Sequence, residues 1–323
     1  MKYLVTGATG FVGGEITKQL VNAGHEVRAV VRDPQRAKGL EGLGVTLYKG
    51  DVTDKESLRE AMTGVDGVFH CAGWYKVIER VKGEAEAVNV RGTRNVLELM
   101  KELKIPKGVY TSTGAVFSYT KGKTVDETYR FNGKFSTTYQ RTKAAAHRVA
   151  EEFIAQGLPL VIAQPGMIYG PDDTSVVRIN LMDYLQRKLP VLPTQSAMCW
   201  AHIEDTAQAH IAMMEKGRVG EAYIIGGEQS TVVDLFRVVQ EISGVRMPMI
   251  VPYQIFVVLA KLAKPFDRWL PDTFTSEGMI SIAGITYLMD SSKAQRELGF
   301  NPRPIREGWV ETIRHEMKLL GML

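Results

Sequence analysis

Cysteine is scarce: the 323-residue chain has only Cys71 and Cys199. Two cysteines build no disulfide framework, and no CxxC pair or Cys/His cluster supplies metal-ligand spacing, so no metal is expected and a reducing cytoplasmic compartment is. Long apolar runs are missing too. The opening MKYLVTGATG reaches glycine within a few residues, so it reads as a first strand and as neither a signal peptide nor a transmembrane span. The stretch Ile255 to Ala260 is too short to cross a bilayer, because Lys261, Lys264 and Asp267 interrupt the next turns. It reads as a packed helix, with an amphipathic surface helix as the alternative. Blocks of like charge are absent. Forty Lys plus Arg against 36 Asp plus Glu leave +4, scattered along the chain, so a small anionic ligand fits better than nucleic acid. Apolar residues at 45% and charged residues at 24% exclude a disordered or fibrous chain. No internal repeat or low-complexity linker appears.

What is present is alternation. Short β-branched runs at Tyr3 to Val5, Glu26 to Val31, Thr46 to Tyr48, Gly67 to His70, Gly108 to Ser112 and Pro159 to Gln164 are separated by helical patterns. Those helices start at Phe11, near Asp54, near Glu84 and at Tyr139. Such a rhythm specifies an α/β fold, a doubly wound parallel sheet with crossover helices. After Pro165 prolines multiply and the rhythm loosens. The expected division is a dinucleotide-binding domain over residues 1–170, joined by a returning strand near 221–227, and a smaller, mostly helical substrate-binding lobe over 171–323.

The string Thr6-Gly7-Ala8-Thr9-Gly10-Phe11-Val12-Gly13 follows the first strand and opens a helix. In that position glycines let backbone amides meet a pyrophosphate, and the last one lets helix and strand approach closely. The second strand ends at Val31-Arg32-Asp33. An NAD site usually carries an acid at the strand tip, whereas Arg32 can fork onto a 2′-phosphate, which favours NADP; the alternative keeps Asp33 on the ribose of NAD. Tyr139 and Lys143 stand four residues apart, which on a helix is one face. An ammonium beside a phenol lowers the phenol's pKa from about 10, making it a usable acid near neutrality.

The GxxGxxG turn and the YxxxK pair resemble the extended short-chain dehydrogenase/reductases, the epimerase/dehydratase superfamily. The string VRAVVRDP is closest to dihydroflavonol- and cinnamoyl-CoA-reductase-like members. The resemblance extends through QPGMIYGP, HIED and ELGF and so spans nearly the whole chain. It implies a catalytic set of Thr113, Tyr139, Lys143 and Asn89, with threonine where the family usually has serine. It also implies cofactor contacts at Gly7, Thr9, Gly10, Phe11, Val12, Arg32, Asp51, Val52, Cys71, Ala72, Gly73, Pro165 and Ile168, besides Tyr139 and Lys143. Asp51 reads equally as a helix cap, and Cys71 as a small buried residue. Tyr75, Tyr169 and Met198 are the substrate contacts it suggests.

Thr113 is followed by Gly114-Ala115 and not by the Asp-Glu pair of a 4,6-dehydratase, and Ser196 to Trp200 lacks an arginine for a sugar diphosphate. Hydride transfer to or from a small, fairly apolar ketone, aldehyde or alcohol is therefore expected, with a nucleotide-sugar epimerase as the alternative. Val88, Val96, Leu97, Ala144, Ala145 and Val149 form apolar stripes on two helices, from which a homodimer through a four-helix contact is expected.

Overall fold

The computed structural model describes every residue except 77–78, 271–274, 277–278 and 280–285. Six strands from the first half build most of the main sheet. They are β1 (Lys2–Thr6), β2 (Glu26–Val31), β3 (Thr46–Lys49), β4 (Gly67–His70), β5 (Gly108–Thr111) and β6 (Leu160–Pro165). A seventh, β10 (Ala222–Ile225), pairs in parallel with β6 and gives the order β10-β6-β5-β4-β1-β2-β3. Strand order reverses between β1 and β4, which opens a crevice at their carboxyl ends.

Both sheet faces are covered, which is why the strands are apolar without alternation. One face takes α1 (Phe11–Asn22) through Ile16 and Leu20. A short helix, α2 (Lys38–Gly42), lies in the connection from β2 to β3. The other face takes α3 (Glu56–Met62), α5 (Thr93–Glu102) and α6 (Thr138–Ala155). Ahead of α5, a single turn, α4 (Glu84–Glu86), runs into a π-helical segment, Ala87–Gly92.

The expected boundary at residue 170 needs correction. Beside the returning strand, α8 (Ile203–Lys216) packs on α1 through Ala207, Met213 and Met214, and α11 (Ser292–Leu298) adds Ala294 and Leu298 to the same core. Chain beyond 171 thus completes the first lobe. What remains forms the second lobe, mostly helical as expected, with short strands among its helices. The strands β7 (Met167–Tyr169), β9 (Ala197–His202), β11 (Gln229–Thr231) and β13 (Thr286–Tyr287) make one small sheet, and β8 (Val191–Pro193) with β12 (Met249–Val251) another. Helices α7 (Val176–Leu185), α9 (Val232–Ser243) and α12 (Ile305–Leu319) enclose an aromatic core that includes Tyr169, Tyr184, Trp200, Phe236 and Trp309. The helix α10 (Tyr253–Ala263) buries only Phe256 and Ala260, so the packed-helix expectation holds for one of its faces.

The apolar stripes from which a dimer contact is expected are partly used within one chain. Val96, Leu97, Ala144 and Val149 are at most 5% exposed within a single chain, where Val96, Leu97 and Val149 cover the sheet. Val88 and Ala145, the other two residues of the stripes, are half-buried.

Candidate active site

At the tip of β1 the glycines do steric work. Gly7 has φ of +74°, and a Cβ there would sit 2.7 Å from the backbone nitrogen of Ala72. A Cβ on Gly13 would stand 2.3 Å from the Gly7 carbonyl oxygen, so only glycine lets α1 start this close to β1. The helix opens at Gly10 with no side chain capping it, and its first turn carries no acidic residue. The free amides of Phe11 and Val12 therefore present a positive, uncapped helix end beside Thr9, a cradle that fits a dinucleotide pyrophosphate.

At the tip of β2, Arg32 is exposed, and Asp33 turns away to accept a hydrogen bond from Gln35 N at 3.0 Å as the cap of the following turn. Asp51 closes an Asx turn, its Oδ1 accepting from Thr53 N and Thr53 Oγ1 at 2.8 Å each. Val52 is buried against Gly92. Behind the crevice, Cys71 lies 3.3 Å from the Thr111 hydroxyl, and burial pushes its thiol up to about 11, so it stays protonated. Pro165 ends β6, and Ile168 is half-buried in β7.

Helix α6 carries Tyr139 and Lys143 of the expected catalytic set. A capping box on Thr137 and Gln140 fixes its start, two residues before Tyr139. The Thr113 side chain stands beside the Tyr139 phenol at the end of β5. Burial raises the phenol's pKa above its ordinary value, and the Thr113 hydroxyl offsets part of that rise. This differs from the expected electrostatic lowering by Lys143, because the lysine is occupied elsewhere. Its Nζ donates to the Thr111 carbonyl at 2.8 Å and to Tyr110 Oη at 3.3 Å, lying 4.9 Å over the Tyr110 ring. Burial holds Lys143 down at about 8.

Asn89 sits in the π-helical segment, where its Nδ2 donates to Trp74 O at 3.0 Å and to Thr142 Oγ1 at 2.9 Å, while Oδ1 accepts from Trp74 N at 2.7 Å. A Cβ on Gly73 would lie 3.4 Å from Asn89 Oδ1 and 3.9 Å from Lys143 Nζ, so these three residues share one wall of the crevice. With both amide hydrogens spent, the Asn89 side chain braces that wall.

Two expected substrate contacts are corrected. Tyr169 is 1% exposed and packed edge-on against Trp200, His202 and Trp309, and Met198 is 3% exposed in the same core. Neither is free to meet a substrate. Tyr75 is exposed, and its hydroxyl lies 3.1 Å from Thr174 Oγ1 across the two lobes.

Several residues at the site carry no mark in the sequence motifs. Tyr287 on β13 accepts from Gln140 Nε2 at 2.5 Å, and Tyr139 acts on it electrostatically, so it borders the site. Ser112 Oγ lies 2.8 Å from His147 Nδ1, tying the end of β5 to α6. His147 continues the spacing Tyr139, Lys143, His147, a period that could have found it. Beneath Lys143 runs a buried chain. The Tyr110 ring stacks on His70 at 5.5 Å, His70 Nε2 lies 3.1 Å from Thr93 Oγ1, and His70 Nδ1 lies 2.8 Å from Thr6 Oγ1. Burial drives His70 down to about 3, so this link is neutral. Among the described residues no three His, Cys, Asp or Glu side chains gather as metal ligands.

A reversed strand order and an uncapped glycine-rich helix start at the same crevice define a dinucleotide-binding fold of the Rossmann class. Residues 3–226 match the profile of the NAD dependent epimerase/dehydratase family, and the chain belongs to that family. It is 29% identical to sterol demethylase protein B of Methylococcus capsulatus over 97% of both chains. It is 28% identical to a putative dihydroflavonol 4-reductase of a Synechocystis species, over 96% of this chain and 93% of the relative. The crystal structure of gox2253 superposes with a TM-score of 0.86 at 29% identity, covering 99% of each chain.

Proposed function

We propose that the protein is an NADP(H)-dependent oxidoreductase that reduces a ketone or aldehyde, or oxidises the matching alcohol, of a small and fairly apolar substrate. The observation that carries this is Thr113 beside the Tyr139 phenol at the end of β5, with Lys143 one helical turn away. The nicotinamide, when bound, supplies or takes up the hydride. Tyr139 gives its proton to the carbonyl oxygen, and Thr113 holds that oxygen in line by hydrogen bonding. Lys143, released from Thr111 and Tyr110, supports the phenolate that Tyr139 becomes, and Asn89 keeps the wall behind it in place. Burial suits the initial state: Tyr139 starts protonated, as a donor must.

Arg32 at the tip of β2, with Asp33 engaged in capping, supports NADP over NAD. Relatives named as reductases support the carbonyl reading, among them a 2-alkyl-3-oxoalkanoate reductase of Shewanella oneidensis at 28% identity over 92% of this chain. The test titrates NADPH and NADH into wild type and Arg32→Ala, then measures turnover on a panel of ketones, aldehydes and UDP-sugars. NADPH should bind at least about tenfold more tightly than NADH, a difference of about 1.4 kcal/mol that Arg32→Ala erases. Equal affinities in the wild type would remove the NADP assignment. Turnover of UDP-sugars without NADPH oxidation by any ketone or aldehyde would replace the reductase with an epimerase.

A further inference from the structure

Apolar side chains are exposed unevenly over this molecule. Among the described residues, eighteen large hydrophobic residues are exposed, and eight of them fall between Met249 and Trp269. Six, at 255, 258, 259, 262, 266 and 269, recur at helical spacing along α10 and the turn after it. Phe256 and Ala260 face the opposite way, into a small core with Met279. The helix is therefore apolar on two faces and buries only one. Exposure of Leu262 at 65%, Phe266 at 56% and Trp269 at 67% is high for side chains of this size in water.

Among the described residues of this segment, the charges without a partner have one sign. Lys261, Lys264 and Arg268 are exposed and enter no ion pair among the described residues, and Arg268 lies 4.8 Å over the Trp269 ring. The one acid in the segment, Asp267, is taken up by Ser276, whose backbone nitrogen donates to it at 2.7 Å and whose hydroxyl donates to its other oxygen. A second copy docked here about a two-fold axis would set these cations against themselves.

We propose that this face of α10 seats the protein on an anionic lipid bilayer. Leu262, Phe266 and the Ile255–Val258–Leu259 row enter the headgroup boundary, Trp269 lies at its level, and the three cations reach the phosphates. No described helix is long and apolar enough to cross a membrane, so the contact is with one leaflet.

Cosedimentation tests this with vesicles of phosphatidylcholine alone and with about one-third phosphatidylglycerol. Each cation near an anionic surface is worth roughly fivefold in binding, so the three predict about 100-fold weaker binding to the neutral vesicles. K261Q/K264Q/R268Q should bring binding to the anionic vesicles down to that neutral level, and L262E/W269E should abolish both while circular dichroism stays unchanged. Failure of wild type to pellet with the anionic vesicles at millimolar lipid overturns the proposal. So does pelleting that both variants retain. A wild-type dimer that L262E/W269E converts to monomer by light scattering would assign the face to a second copy instead.

Discussion

Lowering the pH from about 7.5 to about 5 should cost this fold about 4 kcal/mol through two imidazoles alone. His70 is clamped between Thr6 and Thr93, and His210 between the Thr206 carbonyl at 2.7 Å and the Thr111 hydroxyl at 3.1 Å. Burial holds them at about 3 and about 4, against 6.5 for an imidazole in water. In the folded state both stay neutral at pH 5, while in the unfolded chain both are protonated there. Unfolding then takes up two protons, so stability is complete above 6.5 and falls as the pH drops toward the folded values. Each imidazole contributes about 2 kcal/mol by pH 5, a figure set by the unfolded value as long as the folded one lies lower. Together they take a large share of a typical stability of about 5–15 kcal/mol. Urea unfolding at several pH values measures the slope for wild type and for His70→Gln/His210→Gln. The double variant should be less stable near neutrality yet lose about 4 kcal/mol less on acidification. The same pH slope in both proteins would refute the reasoning, and each single variant should recover about half.

Tyr139→Phe keeps the ring and removes the proton, so kcat should fall at least about 100-fold while NADPH affinity, followed by fluorescence, changes little. Gly13→Ala drives a methyl to 2.3 Å from the Gly7 carbonyl; it should lower the thermal midpoint and abolish the stabilisation that NADPH gives wild type. Tyr184→Phe leaves the buried Val245 carbonyl without its donor at 2.5 Å, a cost of about 1–3 kcal/mol in urea unfolding with kcat unchanged.

The scaffold is legible in the sequence because its signals are local. A glycine turn needs particular backbone angles at particular positions, and Tyr139 with Lys143 share a helix face by spacing alone. The second lobe is less legible, since its elements are short and its partners distant. Tyr169 stands four residues beyond Pro165, and nothing in the string tells which face of a three-residue strand turns inward. The helix α8 reads as apolar on one side, yet no local feature says that Ala207 and Met213 seek α1 and not the lobe that precedes them in sequence. Likewise Val96, Leu97 and Val149 look surplus to a single sheet face, but the sheet consumes them. The π-helical segment around Asn89 has no spacing rule at all; it is a product of packing between Trp74 and α6.

The late return of β10 and α8 to the first lobe bears on how the chain is made. At the ribosome, β1 to β6 emerge with Ile16 and Leu20 of α1 lacking the helix they pack against, and β6 is an open edge until residue 225 has cleared the exit. The pairing of β6 with β10 encloses the chain from β7 to α8, so it closes a long loop and is slow by topology. Alanines and methionines of α8 then arrive just ahead of β10 and can seal the face as the edge is closed. A nascent chain stalled near residue 200 should therefore expose apolar surface and an unpaired strand, the features that chaperones hold.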